Sequence, residues 1–183
     1  MAVLFYTVGL PGAGKTTFAR NFSYCLNAEH LRGDKIGLEL FRFPTFSPQE
    51  RQMVYAEMGR RAGEALHTGK HVIYDAAVNT RAQRDALVVL AQKNGGEAIG
   101  VLIDTAPQLA KKRAGTLRDN AIAGPVARIT PPHIFDQYAA AFEAPDDNED
   151  VVVIAGDAPF VLQYRRLQRQ TPGLRGSMPR LIQ

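Results

Sequence analysis

A glycine-rich segment near the start of the chain constrains the fold more than any other feature. Residues 9–17 read Gly-Leu-Pro-Gly-Ala-Gly-Lys-Thr-Thr and follow directly on an apolar run at residues 3–8. The segment fits the pattern G-x-x-x-x-G-K-[ST], in which a loop between a strand and a helix cradles phosphate groups with its backbone N–H groups. The sequence therefore predicts that this chain binds a nucleoside triphosphate.

The residue types of the loop predict individual roles. Its glycines allow the backbone to curl so that successive N–H groups face phosphate oxygens. Lys15 is expected to bridge the β- and γ-phosphates, and the Thr16 hydroxyl is expected to help hold Mg²⁺. Thr17 either joins the nucleotide site or caps the following helix. The predicted nucleotide-binding residues of the loop are Gly9, Pro11, Gly12, Ala13, Gly14, Lys15, Thr16 and Thr17.

Composition is that of one globular domain with, at most, a small inserted lid. The chain has 183 residues, of which 45% are hydrophobic, and a net charge of +4. Its single cysteine, Cys25, excludes a disulfide framework and a cysteine metal site. No apolar stretch is long enough for a membrane span, and the chain enters its first strand without a signal peptide, so we expect a cytoplasmic protein with no membrane partner. The sequence leaves the oligomeric state open.

Apolar strands alternate with amphipathic helices, which predicts an α/β fold with a mainly parallel five-stranded sheet flanked by helices and a small helical lid. We expect strands at residues 3–8, 29–32, 71–75, 98–103 and 151–155. We expect helices at residues 15–27, 47–68, 81–93, 106–117, 131–142 and 158–169. One domain then covers residues 1–170, with the lid at about 113–130 and a tail at 171–183.

Three aspartates follow predicted strands, where ligands bind in an open parallel sheet. Asp34 is a candidate to accept a hydrogen bond from a substrate hydroxyl and take its proton, although it could instead cap a helix starting near Lys35. Asp75 is a candidate to order Mg²⁺ or its waters or to orient the acceptor, and its alternative is also a capping role. Asp104 is expected to cap a helix and is the alternative acid on the metal side.

Arginines supply candidate phosphate ligands. Arg113 and Arg118 flank the end of a predicted helix and could ride on a lid, where they would meet charge that develops during phosphoryl transfer. Arg81 and Arg84 begin the helix after Asp75 and could hold a phosphate of the acceptor. A solvated surface is the alternative for each of these four residues.

With these residues in place, the chain resembles the polynucleotide-kinase-like and zeta-toxin-like branch of phosphate-loop kinases. Gly-Leu-Pro-Gly-Ala-Gly-Lys-Thr-Thr is similar to the loop of this branch, and Arg32-Gly33-Asp34 to its acceptor motif. Residues 72–77 with the trailing arginines are similar to its strand-Asp-Ala segment, and residues 112–118 to its lid. The resemblance implies a kinase-type phosphate-loop fold, ATP and Mg²⁺ as cofactors, Asp34 as general base and Arg118 as the lid arginine. Ala76 departs from the polynucleotide 5′-kinases, which often have a hydroxyl residue there.

The resemblance implies a reaction but not an acceptor. Basic residues of the predicted lid and of the region after residue 164 favour a polyanionic acceptor, so we expect a kinase for a hydroxyl on DNA or RNA. Phe41, Phe43, Phe46 and Tyr55 could stack on a base or pack in the core. The alternatives are a kinase for a sugar, nucleoside or antibiotic, and a nucleotide-dependent switch. The four histidines show no metal-ligand spacing and are expected to be structural or exposed.

Overall fold

Helices and parallel strands alternate along the chain in the computed structural model, which describes residues 1–45, 47–116, 130–171 and 174. The strands are β1 Val3–Val8, β2 Glu29–Arg32, β3 Val72–Asp75, β4 Glu97–Asp104 and β5 Val151–Ala155. The helices of the described residues are α1 Lys15–Leu26, α2 Gly33–Leu40, α3 Pro48–His67, α4 Arg81–Lys93, α5 Pro107–Ala114, α6 Pro132–Ala140 and α7 Phe160–Gln170.

The five strands form one sheet in the order β2-β3-β1-β4-β5, and every neighbouring pair is parallel. In the central strand, Tyr6 pairs with Tyr74 on one side and with Gly100 on the other. The chain crosses from β1 to the edge strand β2 and returns to β3 beside β1. It then continues on the other side of β1 with β4 and β5, so the strand order reverses at β1. In an open parallel sheet, ligands bind beyond the carboxyl end of the strand at such a reversal. The fold therefore places the glycine-rich loop after β1 at the expected binding edge.

Both faces of the sheet are covered, because all six residues of β1 are buried. Alternate residues of the strand enter two different cores. Leu4 and Tyr6 join a core with residues of α3 and α4, whereas Phe5 packs with Phe18 and Phe22 of α1, beside residues of α7. Helices α1 and α7 therefore cover one face of the sheet, and α3 and α4 cover the other.

The predicted parallel five-stranded sheet is confirmed, and the predicted strands match the observed ones to within a residue. Helix α3 begins as the sequence indicates, with Pro48 at its first position and the Ser47 hydroxyl accepting from the Glu50 N–H at 3.2 Å. Helix α2 is not among the predicted helix ranges, although the capping alternative for Asp34 assumed a helix starting near Lys35. It is short and contains two glycines, and it is held by packing in which Gly37 lies against Val54 of α3.

Most of the predicted lid at 113–130 and most of the tail at 171–183 lie outside the described residues, as do Phe46 and Arg118. The division of the chain into domain, lid and tail therefore stays a prediction. The two described sides of the lid region meet, because the N–H of Thr130 donates to the carbonyl of Ala114 at 2.9 Å. Over the described ranges, each helix is too short or too polar to cross a bilayer.

Candidate active site

The glycine-rich loop has the conformation that its sequence predicts. Gly9, Gly12 and Gly14 have φ angles of +139°, +78° and +111°, which side chains disfavour. A Cβ atom on Gly12 would lie 2.2 Å from the carbonyl oxygen of Ala110, so the loop also needs glycine there to pack against α5. Helix α1 begins after Gly14 with no side-chain cap, which leaves the first N–H groups of the helix to an anion.

Two residues outside the motif anchor the loop. The Thr105 hydroxyl, just beyond β4, donates to the carbonyl of Ala13 at 2.9 Å. The N–H of Gly9 donates to the side-chain oxygen of Asn79, in the segment after β3, at 3.2 Å. Both contacts are buried and join residues at least 70 positions apart. Sequence reasoning did not identify Asn79 or Thr105, because only the sheet order brings these segments to the loop.

Lys15 bonds to the loop itself. Its ammonium group donates to the carbonyls of Gly9 at 2.7 Å and Leu10 at 2.9 Å. Burial lowers the pKa of Lys15 to about 8, and the nearby Asp75 carboxylate acts in the opposite direction. The ammonium group thus lies at the loop with two carbonyl partners that a phosphate could replace.

Thr16 and Asp75 form a pair of oxygen ligands of the kind that Mg²⁺ prefers. The Thr16 hydroxyl lies 3.2 Å from one carboxylate oxygen of Asp75, and Nε2 of His30 lies 3.2 Å from the other. The Asp75 side chain is 5% exposed, so these contacts fix its orientation. Among the described residues, no group of three His, Cys, Asp or Glu side chains could hold a metal. A metal bound by one hydroxyl and one carboxylate would share its remaining positions with phosphate and water.

Asp104 lies on the other side of β1 from this pair. It is exposed at the end of β4, and α5 starts after Ala106 without a side-chain cap. The predicted capping role of Asp104 is therefore wrong in this structure. Thr16 bonds to Asp75, which favours Asp75 over Asp104 as the carboxylate that would lie beside a bound Mg²⁺.

Asp34 lies in the first turn of α2, which has no side-chain cap, so its predicted capping role is not observed and its role as a base stays a prediction. Its carboxylate accepts from Nε of Arg32 at 3.0 Å and from the Lys35 N–H at 2.8 Å. A second guanidinium nitrogen of Arg32 contacts the other carboxylate oxygen, so the pair is bidentate. The Arg32 side chain is 9% exposed and that of Asp34 is 34% exposed. Asp34 is therefore held in a fixed orientation while part of its surface stays accessible.

A cavity of about 310 Å³ joins these groups. It lies between α2, α3 and the end of β3. Its lining residues are Lys15, Thr16, Gly33, Asp34, Gly37, Phe41, Pro44, Glu50, Arg51, Val54, Tyr55, Asp75, Ala76 and Ala77. The structure thus brings four of the predicted catalytic and metal residues, which the sequence spreads over 61 positions, to one cavity.

The predicted acceptor ligands Arg81 and Arg84 do not line this cavity. Arg84 is 1% exposed, donates twice to Glu149 and once to the carbonyl of Glu143, and is therefore a buried structural residue. Arg81 donates to Asp85 and Asp146 at 2.8 Å each. The expectation that this pair holds an acceptor phosphate is corrected, because carboxylates of the chain already occupy both guanidinium groups.

Arg113 lies on the opposite flank of the loop. Its guanidinium donates to the carbonyl of Gly156 at 3.2 Å, and that carbonyl lies 3.8 Å from where a Cβ atom of Gly14 would be. Arg113 therefore borders the loop from the side of β5, whereas Arg118 is outside the described residues.

Four of the basic residues that suggested a polyanionic acceptor fall in the described ranges but do not line the cavity. Lys111 of α5 is paired with Asp136 at 2.6 Å. Arg165, Arg166 and Arg169 are exposed on α7, which covers the face of the sheet opposite α3. Their charge therefore gives no support to an acceptor bound beside Asp34.

Comparisons with known proteins agree with this fold. A family model described as an AAA domain matches residues 4–145. No curated protein sequence matches the chain significantly.

Similar solved structures include a sugar kinase from Janibacter sp. HTCC2649, with 17% identity over 95% of this chain and 98% of that one, at a TM-score of 0.66. A gluconokinase from Sinorhizobium meliloti 1021 has 13% identity over 94% of this chain and 92% of that one, at a TM-score of 0.63. An APS kinase from Mycobacterium tuberculosis, solved with AMPPNP and APS, has 18% identity over 92% of this chain and 96% of that one, at a TM-score of 0.65. At these identities the similarity is one of fold.

Proposed function

Because the chain belongs to this AAA-domain family and has a phosphate-loop kinase fold, we propose that it transfers the γ-phosphoryl group of ATP to a hydroxyl of a small molecule. One observation carries the proposal: a single cavity joins the nucleotide-side residues Lys15 and Thr16 to the acceptor-side carboxylate of Asp34. A site for phosphoryl transfer needs donor and acceptor in line within such a space.

The size and position of the cavity favour a small acceptor over DNA or RNA. A volume of about 310 Å³ suits a small molecule, whereas a polynucleotide needs an extended basic groove. The exposed arginines of α7 lie on the other face of the sheet. The similar structures include a sugar kinase, a gluconokinase and an APS kinase, which supports the small-molecule alternative. The expected nucleic-acid acceptor is therefore not supported.

The residues of the loop hold the transferred phosphate in this proposal. Lys15 leaves the carbonyls of Gly9 and Leu10 and binds phosphate oxygens, which places its positive charge where negative charge develops. Thr16 and Asp75 hold Mg²⁺, which neutralises phosphate charge when bound. Arg113 borders the nucleotide from the side of β5, and Arg118 serves as the lid arginine.

Asp34 is the general base in this proposal. Its carboxylate accepts the proton of the substrate hydroxyl as the oxygen attacks phosphorus. The bidentate contact with Arg32 is a positioning contact, since it fixes the carboxylate in the orientation that the cavity requires. A weak base suffices, because transfer through a loose transition state depends mostly on positioning and charge.

The proposal is tested by following labelled γ-phosphate from ATP and Mg²⁺ into a panel of sugars, nucleosides, aromatic alcohols and 5′-hydroxyl DNA. Label on a small molecule that disappears with Lys15→Met is the expected result. Asp34→Asn should abolish transfer and leave nucleotide affinity unchanged, while Asp104→Asn, a strand-end aspartate outside the cavity, is the matched control. Label on DNA alone, or only in free phosphate, would contradict the proposal and favour a polynucleotide kinase or a switch.

A further inference from the structure

The acceptor side of the cavity is elongated. Asp34 and Phe41 both line it, and they are separated by seven positions along α2 and its end. At a rise of 1.5 Å per residue, their backbones are about 10 Å apart. The cavity thus has a reacting end, with Asp34 and Asp75, and a distal end near Phe41.

The middle of the cavity is apolar. Gly37 of α2, Val54 and Tyr55 of α3 and Ala76 after β3 line it. The hydroxyl of Tyr55 is already bonded to the carbonyl of Ala77 at 3.3 Å, so the ring is the part of this residue left for a ligand. This wall suits a flat or alicyclic hydrocarbon body.

Two charged residues at the start of α3, Glu50 and Arg51, also line the cavity. Glu50 accepts from the N–H of Thr45 at 2.7 Å, which places its carboxylate at the turn after α2. Arg51, in the first turn of α3 beside Glu50, also lines the cavity. No carboxylate of the described residues forms an ion pair with Arg51, unlike Arg32, Arg60, Arg61, Arg81 and Arg84. Arg51 is therefore available to an anionic group of a ligand.

The polar groups at the reacting end are mostly bonded to one another. Arg32 and the Lys35 N–H contact Asp34, and Thr16 contacts Asp75. A polyol has a hydroxyl on almost every carbon, and each one that is buried without a partner weakens binding. The apolar middle offers too few partners for such a molecule.

We propose that the acceptor is an elongated alcohol with its hydroxyl at Asp34, a ring-sized apolar body beside Phe41 and Tyr55, and one carboxylate or similar anion held by Arg51. This inference rests on the proposed function for the identity of the reacting end. An acceptor of this kind would distinguish this chain from kinases that act on a sugar or a sugar acid.

The test measures dissociation constants in the presence of Mg²⁺ and AMPPNP, which binds without transfer. The probes are 4-(hydroxymethyl)benzoate, 4-methylbenzyl alcohol, which lacks the carboxylate, and gluconate, which has the carboxylate but a polyol body. We expect the first probe to bind at least tenfold more tightly than either of the others. Arg51→Gln should raise the dissociation constant of 4-(hydroxymethyl)benzoate about tenfold and change that of 4-methylbenzyl alcohol less than twofold. Phe41→Ala should raise the dissociation constants of both aromatic probes about tenfold. The matched control is Arg165→Gln, on the opposite face of the sheet, which should leave the dissociation constants of all three probes unchanged.

Equal or tighter binding of gluconate would overturn the inference. No binding of 4-(hydroxymethyl)benzoate by protein that still binds AMPPNP would overturn it as well, and so would an equal effect of Arg51→Gln on both aromatic probes. The same samples with ATP distinguish the inference from the proposed function. Binding in the expected order without phosphoryl transfer would support the ligand class and refute the kinase activity.

Discussion

Replacement of Gly12 by alanine tests whether the phosphate loop is set by its packing against α5. The new Cβ atom would lie 2.2 Å from the carbonyl oxygen of Ala110 and 2.8 Å from the N–H nitrogen of Ala114, so loop and helix must separate by about 1 Å. The φ angle of +78° adds about 1–2 kcal/mol of backbone strain, and overpacking adds about 1–3 kcal/mol. We expect the free energy of unfolding to fall by about 2–5 kcal/mol in urea titrations, and AMPPNP affinity to fall with it.

Gly69 provides a matched control for this change. Its φ angle is +80°, nearly that of Gly12, but nothing lies within 4 Å of the position where a Cβ atom would be. Gly69→Ala should therefore cost only the backbone strain of about 1–2 kcal/mol and leave nucleotide affinity unchanged. The difference between the two variants isolates the steric contact with α5. Equal losses of stability in the two variants, or unchanged nucleotide affinity in Gly12→Ala, would refute the reasoning.

Three further predictions concern charge. Lys15 has a pKa of about 8 and must be protonated to bind phosphate, so AMPPNP affinity measured by calorimetry should fall about tenfold from pH 7 to pH 9. Asp75→Asn should raise the Mg²⁺ concentration needed for half-maximal transfer at least tenfold, in a titration of the initial rate. Glu149→Gln should reduce the free energy of unfolding in urea by about 3–5 kcal/mol, because Arg84 is buried with it.

Each of the three charge predictions has a control variant. Lys15→Arg stays charged, so its nucleotide affinity should not change between pH 7 and pH 9, and a persistent tenfold change would place the titration elsewhere. Asp104→Asn should leave the Mg²⁺ requirement unchanged, and an equal shift would argue against Asp75 as the metal-side acid. The double variant Arg84→Met, Glu149→Leu should recover most of the stability, since it leaves no unpaired charge.

The pair of Arg84 and Glu149 also predicts acid sensitivity. The hydrogen bond from Arg84 is the main reason that the pKa of Glu149 lies below its ordinary value of 4.5. Since the native pKa is the lower one, the contribution of Glu149 to stability is present above pH 4.5 and is lost as the pH falls through the native pKa. Below pH 4.5, the free energy of unfolding in urea should therefore fall less steeply with falling pH in the double variant than in the unchanged protein.

The sequence predicts most of what depends on local pattern. The phosphate loop combines glycine conformations and a lysine at fixed spacing, and strands buried on both faces appear as apolar runs such as Val3–Val8. Asp34 and Asp75 could be singled out as candidates because they lie where strands end, at one edge of a parallel sheet. Helix α2 entered only through the capping alternative for Asp34 and not as a predicted range, since two glycines in eight residues give a weak helical pattern.

Contacts between distant segments could not be predicted. The approach of Glu149 to Arg84 joins residues 65 positions apart, and without it Arg84 is indistinguishable from a surface or ligand-binding arginine. His30 contacts Asp75 only because β2 and β3 are neighbours in the sheet, an order that no local pattern reveals. The surroundings of the basic residues could not be predicted for the same reason: the sequence shows that α7 is basic, but not which face of the sheet it covers.

The contacts of Lys15 bear on the turnover of the kinase reaction proposed above. In a loop that left this ammonium group without a partner, departing ADP would strand a buried charge, and product release would be slow. The carbonyls of Gly9 and Leu10 accept hydrogen bonds from this ammonium group, so they offer it partners in place of phosphate. In the proposed kinase, nucleotide release would therefore exchange one set of partners of Lys15 for another, which favours rapid turnover.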